Sequence, residues 1–169
     1  MVLALKIVII LALVFITAKI INAVEEKCKP TIKGLYFGDT IDECNLPIVA
    51  VNIGNQEFNF IIDSGSYNSV IDSSNLPRID HIPIEGVEGA AYGIDGTHIA
   101  TSFVRIDMNQ DDVDFVDEFQ VLDIKQALQN IKDTFGIEAV GLLGASFLKR
   151  YNFVIDFDKY TAYTCQKKQ

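Results

Sequence analysis

The sequence predicts an all-β domain, either a barrel or a sandwich, preceded by an apolar N-terminal segment. Three observations support this fold class. From residue 47 onward, short segments rich in β-branched and aromatic residues alternate with turn signals. Only one stretch after the N-terminal segment has the apolar spacing of a convincing helix. The chain has 169 residues, of which 49% are hydrophobic and 22% charged, which suits one packed domain and argues against wholesale disorder.

The N-terminal segment, residues 1–24, is almost wholly apolar and carries only two charges, Lys6 and Lys19. With Lys19 extended toward an interface, it is long enough to cross a bilayer. A cleaved signal peptide is the alternative, but Ile21 is a poor match for the small residue expected three positions before a cut after Ala23. We favour a transmembrane anchor over a signal peptide, and either over a buried helix. The charges predict a membrane-anchored, extracytoplasmic domain, or a secreted or periplasmic one after cleavage.

The remainder of the chain divides into two parts. Residues 25–46 mix charged residues with Gly, Pro and Cys, and they are predicted to form a stalk or linker. Residues 47–169 are predicted to form the folded domain. It opens with a β-hairpin, in which Ile48–Ile53 and Glu57–Ile62 are strands joined by a turn at Gly54-Asn55.

Seven further elements are predicted beyond this hairpin. A second hairpin is expected around Asp95-Gly96, with glycines that leave its arms flexible. One helix is predicted at Asp123–Phe135, because its apolar residues share one face, Asp123 can cap it and Gly136 can end it. The remaining elements are the strands Ser102–Met108, Phe115–Leu122, Val140–Gly144 and Phe153–Phe157, with a short helix at Ser146–Arg150.

The composition excludes several classes of function. A net charge of -9 without a cluster of Lys and Arg argues against a nucleic-acid partner. The chain has two His and no Cys/His metal spacing, so no metal or other cofactor is expected. The spacing from Asp107 to Glu118 imitates a calcium loop, but Asp112 stands where such a loop needs Gly, and a solvated acidic hairpin loop is expected instead.

The cysteines leave their pairing open. Cys28, Cys44 and Cys165 can form one disulfide at most, in any of three pairings. Three unpaired thiols fit the sequence equally well.

The segment that carries chemistry is Asp63-Ser64-Gly65. A buried charge is costly without partners, so a carboxylate directly after the apolar pair Ile61-Ile62 is unusual. The tripeptide alone is also a common turn. Two features make it more specific: the chain returns to an apolar strand at Ser69-Val70-Ile71, and Leu142-Leu143-Gly144 lies far downstream, before a predicted helix start.

These motifs resemble those of the retropepsin-like aspartic proteases. That family carries Asp-Thr/Ser-Gly-Ala/Ser followed by Ser/Thr and two aliphatic residues, which Asp63–Ser66 and Ser69–Ile71 match. It also carries two aliphatic residues and a Gly before a C-terminal helix, matched by Leu142–Gly144 and Phe147-Leu148. The resemblance spans Pro47–Tyr163 and implies an acid-protease barrel with one or two short helices.

The resemblance also implies an aspartic endopeptidase with Asp63 as its catalytic residue. The chemistry requires two carboxylates that share one proton and activate a water. The chain contains no second Asp-Ser/Thr-Gly, so the second carboxylate is expected from Asp63 of another copy across a two-fold axis. The expected partners are a peptide or protein substrate and a second copy of this chain.

Further roles follow from the same resemblance. In the active-site loop, Ser64 and Gly65 adjoin the catalytic residue, Ser64 is expected to brace the two loops of a dimer, and Ser66 is expected to orient the carboxylate. The second hairpin is expected to be a flap that closes over a peptide, with Tyr92 or Gly93 near the substrate. Leu143 and Gly144 are expected to have a supporting role.

Two positions depart from the family pattern. Tyr67 stands where the family usually has a small or polar residue that contacts the substrate backbone. Ser146 stands where Asp or Asn commonly begins the helix, although Ser also caps helices. Because Tyr67 can crowd the substrate channel, the alternative function is a catalytically silent, membrane-attached module of the same fold that binds peptides or dimerises.

Overall fold

The computed structural model describes residues 34–92, 98–110 and 113–164, together with Lys19. Three helical segments of α type are present in these ranges: α1 (Gly38–Cys44), α2 (Lys125–Phe135) and α3 (Ala145–Arg150). A 3₁₀ helix spans Ser73–Arg78. The strands are β1 (Leu35–Tyr36), β2 (Ile48–Ile53), β3 (Gln56–Asp63), β4 (Ser69–Asp72), β5 (Ile82–Tyr92), β6 (His98–Gln110), β7 (Val113–Leu122), β8 (Ala139–Gly144), β9 (Phe153–Asp156) and β10 (Thr161–Thr164). The described fold is therefore mostly β, as predicted.

Most strands belong to one seven-stranded sheet with the order β2-β3-β8-β4-β7-β6-β5. A further pairing between Asn52 of β2 and Asn109 of β6 brings distant strands of this sheet together and curves it toward a barrel. The strands β1, β10 and β9 form a separate three-stranded sheet in that order. The strand β8 lies between β3 and β4, although β3 and β4 are joined only by the loop 64–68.

The core of the domain is built from inward-facing residues of several strands. In β7 the side chains of Phe115, Asp117 and Phe119 are buried, which is the alternation expected of a strand with one face on the core. The ring of Phe119 packs against that of Phe60 from β3, with 5.6 Å between centroids. Other fully buried members of this cluster include Ile71, Ile106, Val140, Leu143 and Phe147.

The predicted stalk differs from the structure over its described part. Residues 34–46 include β1 and α1, and they pack on the domain instead of leading into it. Phe37 is only 1% exposed, and its ring makes edge contacts with Phe157 and Tyr160. The composition of this segment, with its Gly and charged residues, indicated a linker. Burial of its apolar side chains is favourable, and it holds the segment on the domain. Residues 25–33 lie outside the described ranges.

The N-terminal prediction falls almost wholly outside the described residues, which include only Lys19 from residues 1–24. In the part of the chain that the structure describes, no helix has the length and apolar character needed to cross a membrane. Cys28 and Cys165 also lie outside that part, whereas Cys44 is a buried free thiol whose Sγ donates to the Thr40 carbonyl at 3.0 Å. Across the described ranges, no three His, Cys, Asp or Glu side chains cluster as metal ligands would.

The predicted elements of the C-terminal half are confirmed with small shifts. The helix α2 begins at Lys125, and the carboxylate of Asp72 accepts the Ile124 N–H at 3.0 Å. Asp123 accepts a longer bond, 3.3 Å, from the Lys125 N–H. The N-cap residue of α2 is Ile124, and among the described residues no side-chain hydrogen bond caps this helix, so the cap predicted for Asp123 is not formed. The strand β10, which pairs with β9, was not predicted.

Candidate active site

Asp63 is the last residue of β3, at the edge of the curved sheet. The strand reaches it through the buried residues Phe60, Ile61 and Ile62. It runs parallel to β8, with Asp63 in register with Gly144. The side chain of Asp63 is partly exposed, so its carboxylate keeps access to solvent and to a ligand.

The loop after Asp63 is folded back on its own carboxylate. The Gly65 N–H donates to Asp63 Oδ1 at 2.9 Å, and the Ser66 N–H donates to the Asp63 carbonyl at 3.2 Å. The Ser66 hydroxyl donates to the Asn68 carbonyl at 2.7 Å. In this chain the carboxylate is therefore oriented by the Gly65 amide, and the Ser66 hydroxyl closes the loop instead of contacting the carboxylate as predicted. Ser64 is exposed, and its expected role across a dimer stays a prediction.

The loop rests on the start of α3. The Ala145 N–H donates to the Ser66 carbonyl at 2.8 Å, and the Ser146 N–H donates to the Tyr67 carbonyl at 3.0 Å. Free N–H groups at the first turn of a helix need acceptors, and here the active-site loop supplies them. Ser146 thus contacts the loop through its backbone, and no side-chain hydrogen bond caps α3 among the described residues.

Gly144 makes this crossing possible. A Cβ on Gly144 would collide with the carbonyl of Asn68, and one on Gly141 would collide with the carbonyl of Val70. Backbone atoms cannot move aside as the end of a flexible side chain can, so both positions of β8 require glycine. The neighbouring Leu143 is 1% exposed and lies in the core. Gly144 therefore lies directly against the loop at Asn68, whereas Leu143 pairs with Ile62 of β3, and the supporting role of Leu143 stays a prediction.

We expect Gly144→Ala to destabilise the domain by about 1–3 kcal/mol, because the added methyl forces the loop and β8 apart. Urea unfolding measures this change, with the exposed Thr134→Ala on α2 as a control that adds no clash. A free energy of unfolding within about 0.5 kcal/mol of the parent would contradict the tight crossing.

A buried hydrogen-bonded network supports the loop from the other side. Ser69 Oγ donates to Asp117 Oδ2 at 2.6 Å and accepts the Gly144 N–H at 3.1 Å. Asp117 is 1% exposed, and its Oδ1 lies 3.0 Å from Arg150 Nη1. One buried carboxylate thereby connects β4, β7, β8 and α3 around the active-site loop. The sequence contains a sign of this buried carboxylate, because Asp117 shares the face of its predicted strand with Phe115 and Phe119.

The pKa of Asp117 is raised by burial, although the Ser69 hydrogen bond and the Arg150 charge act in the opposite direction. A raised pKa means that the folded state keeps the proton to a higher pH than the unfolded chain does. The contribution of Asp117 to the free energy of unfolding is thus fully present below its pKa in the unfolded state, about 3.9. It declines as pH rises through the pKa of Asp117 in the folded state.

We therefore expect Asp117→Asn, which stays neutral, to be more destabilising at pH 3 than at pH 7, relative to the parent. Urea unfolding of both proteins at the two pH values measures the difference. The exposed Asp39→Asn on α1 is the matched control. A parent that gains stability over the Asn variant as pH rises would show that ion pairing with Arg150 outweighs burial.

A second polar chain connects the loop to the long β5–β6 hairpin. The Asn68 amide donates to Gln120 Oε1 at 3.5 Å, and the Gln120 amide donates to Thr101 Oγ1 of β6 at 2.9 Å. Gln120 is buried on β7, so this contact is shielded from water. This link could not be predicted, because Asn68, Thr101 and Gln120 are far apart in the chain.

The predicted flap is described only in part. Tyr92 is the last residue of β5 and pairs with His98 of β6, while Gly93 and the rest of the turn, residues 93–97, lie outside the described ranges. The register shifts between Ile84 and Gly89, which bends the hairpin. The proximity of Tyr92 and Gly93 to a substrate stays a prediction.

A family model described as retroviral aspartyl protease matches residues 43–155. Among solved structures, EIAV protease complexed with the inhibitor HBY-793 matches with a TM-score of 0.47 and 18% sequence identity, covering 63% of this chain and 88% of that chain. No curated protein sequence matches the chain.

Proposed function

Since the chain belongs to the retroviral aspartyl protease family, we propose that it is an aspartic endopeptidase that works as a homodimer, with Asp63 of each copy in a shared active site. The observation that carries the proposal is the placement of Asp63. Its carboxylate stands partly exposed at the end of a buried strand and is held by the Gly65 amide. The loop around it is fixed from below by β8, α3 and the Ser69–Asp117 contact.

The need for a second copy is supported by how two buried carboxylates of the same sheet, those of Asp72 and Asp117, are bonded. The Asp117 carboxylate is bonded to Ser69 and Arg150. The Asp72 carboxylate accepts bonds from Ile124, Ser74 and Asn75. Both side chains are buried and satisfied, so neither is suited to activate a water beside Asp63. A second Asp63 would supply the missing group.

In the proposed reaction, the two Asp63 carboxyl groups share one proton, because two like charges held close together cannot both ionise. The ionised carboxylate takes a proton from a water, whose oxygen attacks the carbonyl carbon of the scissile peptide bond. The protonated carboxyl group donates a hydrogen bond to the carbonyl oxygen. The C–N bond then breaks, and the leaving amine takes a proton from the pair.

The long β5–β6 hairpin is suited to close over an extended peptide and to exclude water. A peptide bound in this way would be recognised mainly through its backbone. The Asn68–Gln120–Thr101 chain would then fix one arm of the hairpin relative to the active-site loop.

The proposal is tested by incubating the purified protein with a peptide library between pH 3 and 7 and identifying the products by mass spectrometry. Cleavage at defined bonds that depends on Asp63 supports the enzyme. The alternative is a catalytically silent module that binds peptides or dimerises, and it is favoured by Tyr67, whose ring is 79% exposed beside the loop. Peptides that bind without being cut would support that alternative.

A further inference from the structure

A cavity of about 620 Å³ lies beside the active-site loop. It is lined by Tyr67, Ala145, Ser146, Lys149, Arg150 and Asn152. Its position is fixed by contacts already described, because the Ser146 N–H donates to the Tyr67 carbonyl and Ala145 directly follows Gly144, the register partner of Asp63. The cavity therefore adjoins the loop that carries the proposed catalytic group, although none of the proposed chemistry uses it.

Two cations of α3 line this cavity in a chain whose net charge is -9. They differ in what they are bonded to. The Arg150 guanidinium is held in place, with Nη1 at 3.0 Å from Asp117 Oδ1 and 3.1 Å from the Val116 carbonyl. Within the ranges that the structure describes, the Lys149 ammonium makes no ion pair, and its side chain is exposed. Lys149 is thus the cation available to a ligand.

The remaining lining groups suit a side chain with a polar end. The Tyr67 ring is 79% exposed and offers an apolar face next to the loop. The hydroxyl of Ser146 and the amide of Asn152 can donate hydrogen bonds at the cavity wall. An aromatic face with a neighbouring cation and neutral donors matches the aliphatic stem and the carboxylate of a glutamate or aspartate.

We propose that this cavity is a substrate subsite for an acidic side chain, located outside the residues that flank the scissile bond. Lys149 supplies the opposing charge, and Tyr67 covers the stem of the bound side chain. The proposal rests on the proposed protease function and narrows its substrates to peptides that carry Asp or Glu at that position. It also gives Tyr67, the departure from the family pattern, a role in selecting substrate.

The test compares two peptides that are cleaved at the same bond and differ only by Glu or Gln at one position, scanned outward from that bond. At the matching position we expect the parent to prefer the Glu peptide in kcat/KM by about fivefold, the effect of a partly exposed ion pair of about 1 kcal/mol. Lys149→Gln should abolish the preference and Lys149→Glu should reverse it. Lys125→Glu on α2 is the matched control, because it makes the same change of charge at another exposed lysine and should leave the preference unchanged.

A binding measurement separates this proposal from the proposed reaction. Fluorescence anisotropy with labelled peptides and the Asp63→Asn variant needs no cleavage. We expect the Asp63→Asn protein to bind the Glu peptide more tightly than the Gln peptide. If the double variant Asp63→Asn, Lys149→Glu loses this difference in affinity, the subsite is supported, even if the parent protein cleaves no peptide. Equal kcat/KM and equal affinity for the two peptides at every position would overturn it. A Lys149→Glu variant that changes the sedimentation coefficient but not the peptide preference would also overturn it, by identifying the cavity as an interface between copies.

Discussion

Replacing Asp63 by Asn is expected to lower kcat for peptide hydrolysis by a factor of about 10³ or more while leaving the fold intact. Asn cannot take a proton from the water, and loss of a general base typically costs 10² to 10⁴ in rate. The substitution is nearly isosteric. The Asn Oδ1 can still accept the Gly65 N–H, so the loop 64–68 should keep its conformation. In a homodimer both halves of the site lose the group at once.

The measurement is the initial rate on a peptide selected from the library, between pH 3 and 7. Asp39→Asn is the matched control, because this carboxylate is exposed and lies on α1, outside the loop 64–68. Urea unfolding of the Asp63→Asn protein checks that stability is retained. Unchanged activity in the Asn variant would exclude the proposed reaction.

Mixing parent with Asp63→Asn protein is expected to reduce the activity of each parent chain, because the proposed active site uses one Asp63 carboxylate from each of two copies. If the copies assort at random, a ninefold excess of the variant leaves each parent chain with a parent partner only about one time in ten. Activity per parent chain should therefore fall to about one tenth. The physical cause is that the chain contains a single Asp-Ser-Gly, so each copy can contribute only one Asp63 carboxylate.

The mixture must be allowed to exchange subunits before the assay. In a parallel control series, the Asp39→Asn variant replaces the Asp63→Asn variant at the same total protein concentration. In that series the activity per chain should not fall, because the control retains Asp63. If the Asp63→Asn series matches the control series, one chain is sufficient for catalysis and the two-fold site is refuted.

Local patterns in the sequence predicted the elements that carry the site. The hairpin of β2 and β3 is confirmed, because its apolar runs and the Gly54-Asn55 turn are local signals. The helix α2 was predicted for the same kind of reason, from the spacing of its apolar residues and from Gly136, which adopts a positive φ of 74° at its end. The position of Asp63 at the end of a buried strand also agrees with the structure.

Contacts between distant parts of the chain could not be predicted in the same way. The burial of Phe37 depends on Phe157 and Tyr160, so the sequence around it indicated only a linker. The Asp117–Ser69 hydrogen bond joins residues of β7 and β4. These strands are far apart in the chain, and the local pattern of neither strand predicts that they pair. Roles inferred from the family pattern were also changed by local geometry, as with the Ser66 hydroxyl, which bonds to Asn68 instead of Asp63.

The insertion of β8 between β3 and β4 has a consequence for how the protein folds. The two outer strands are neighbours in the chain, but they cannot reach their final positions until a strand from the far C-terminal part has entered between them. Such a pairing has a high contact order and forms late, since the closure of a long loop must precede it. A nascent chain that ends before residue 139 would lack the strand on which Gly144 supports the loop. The loop that carries Asp63 therefore gains its support from β8 only after residues 139–144 have been synthesised.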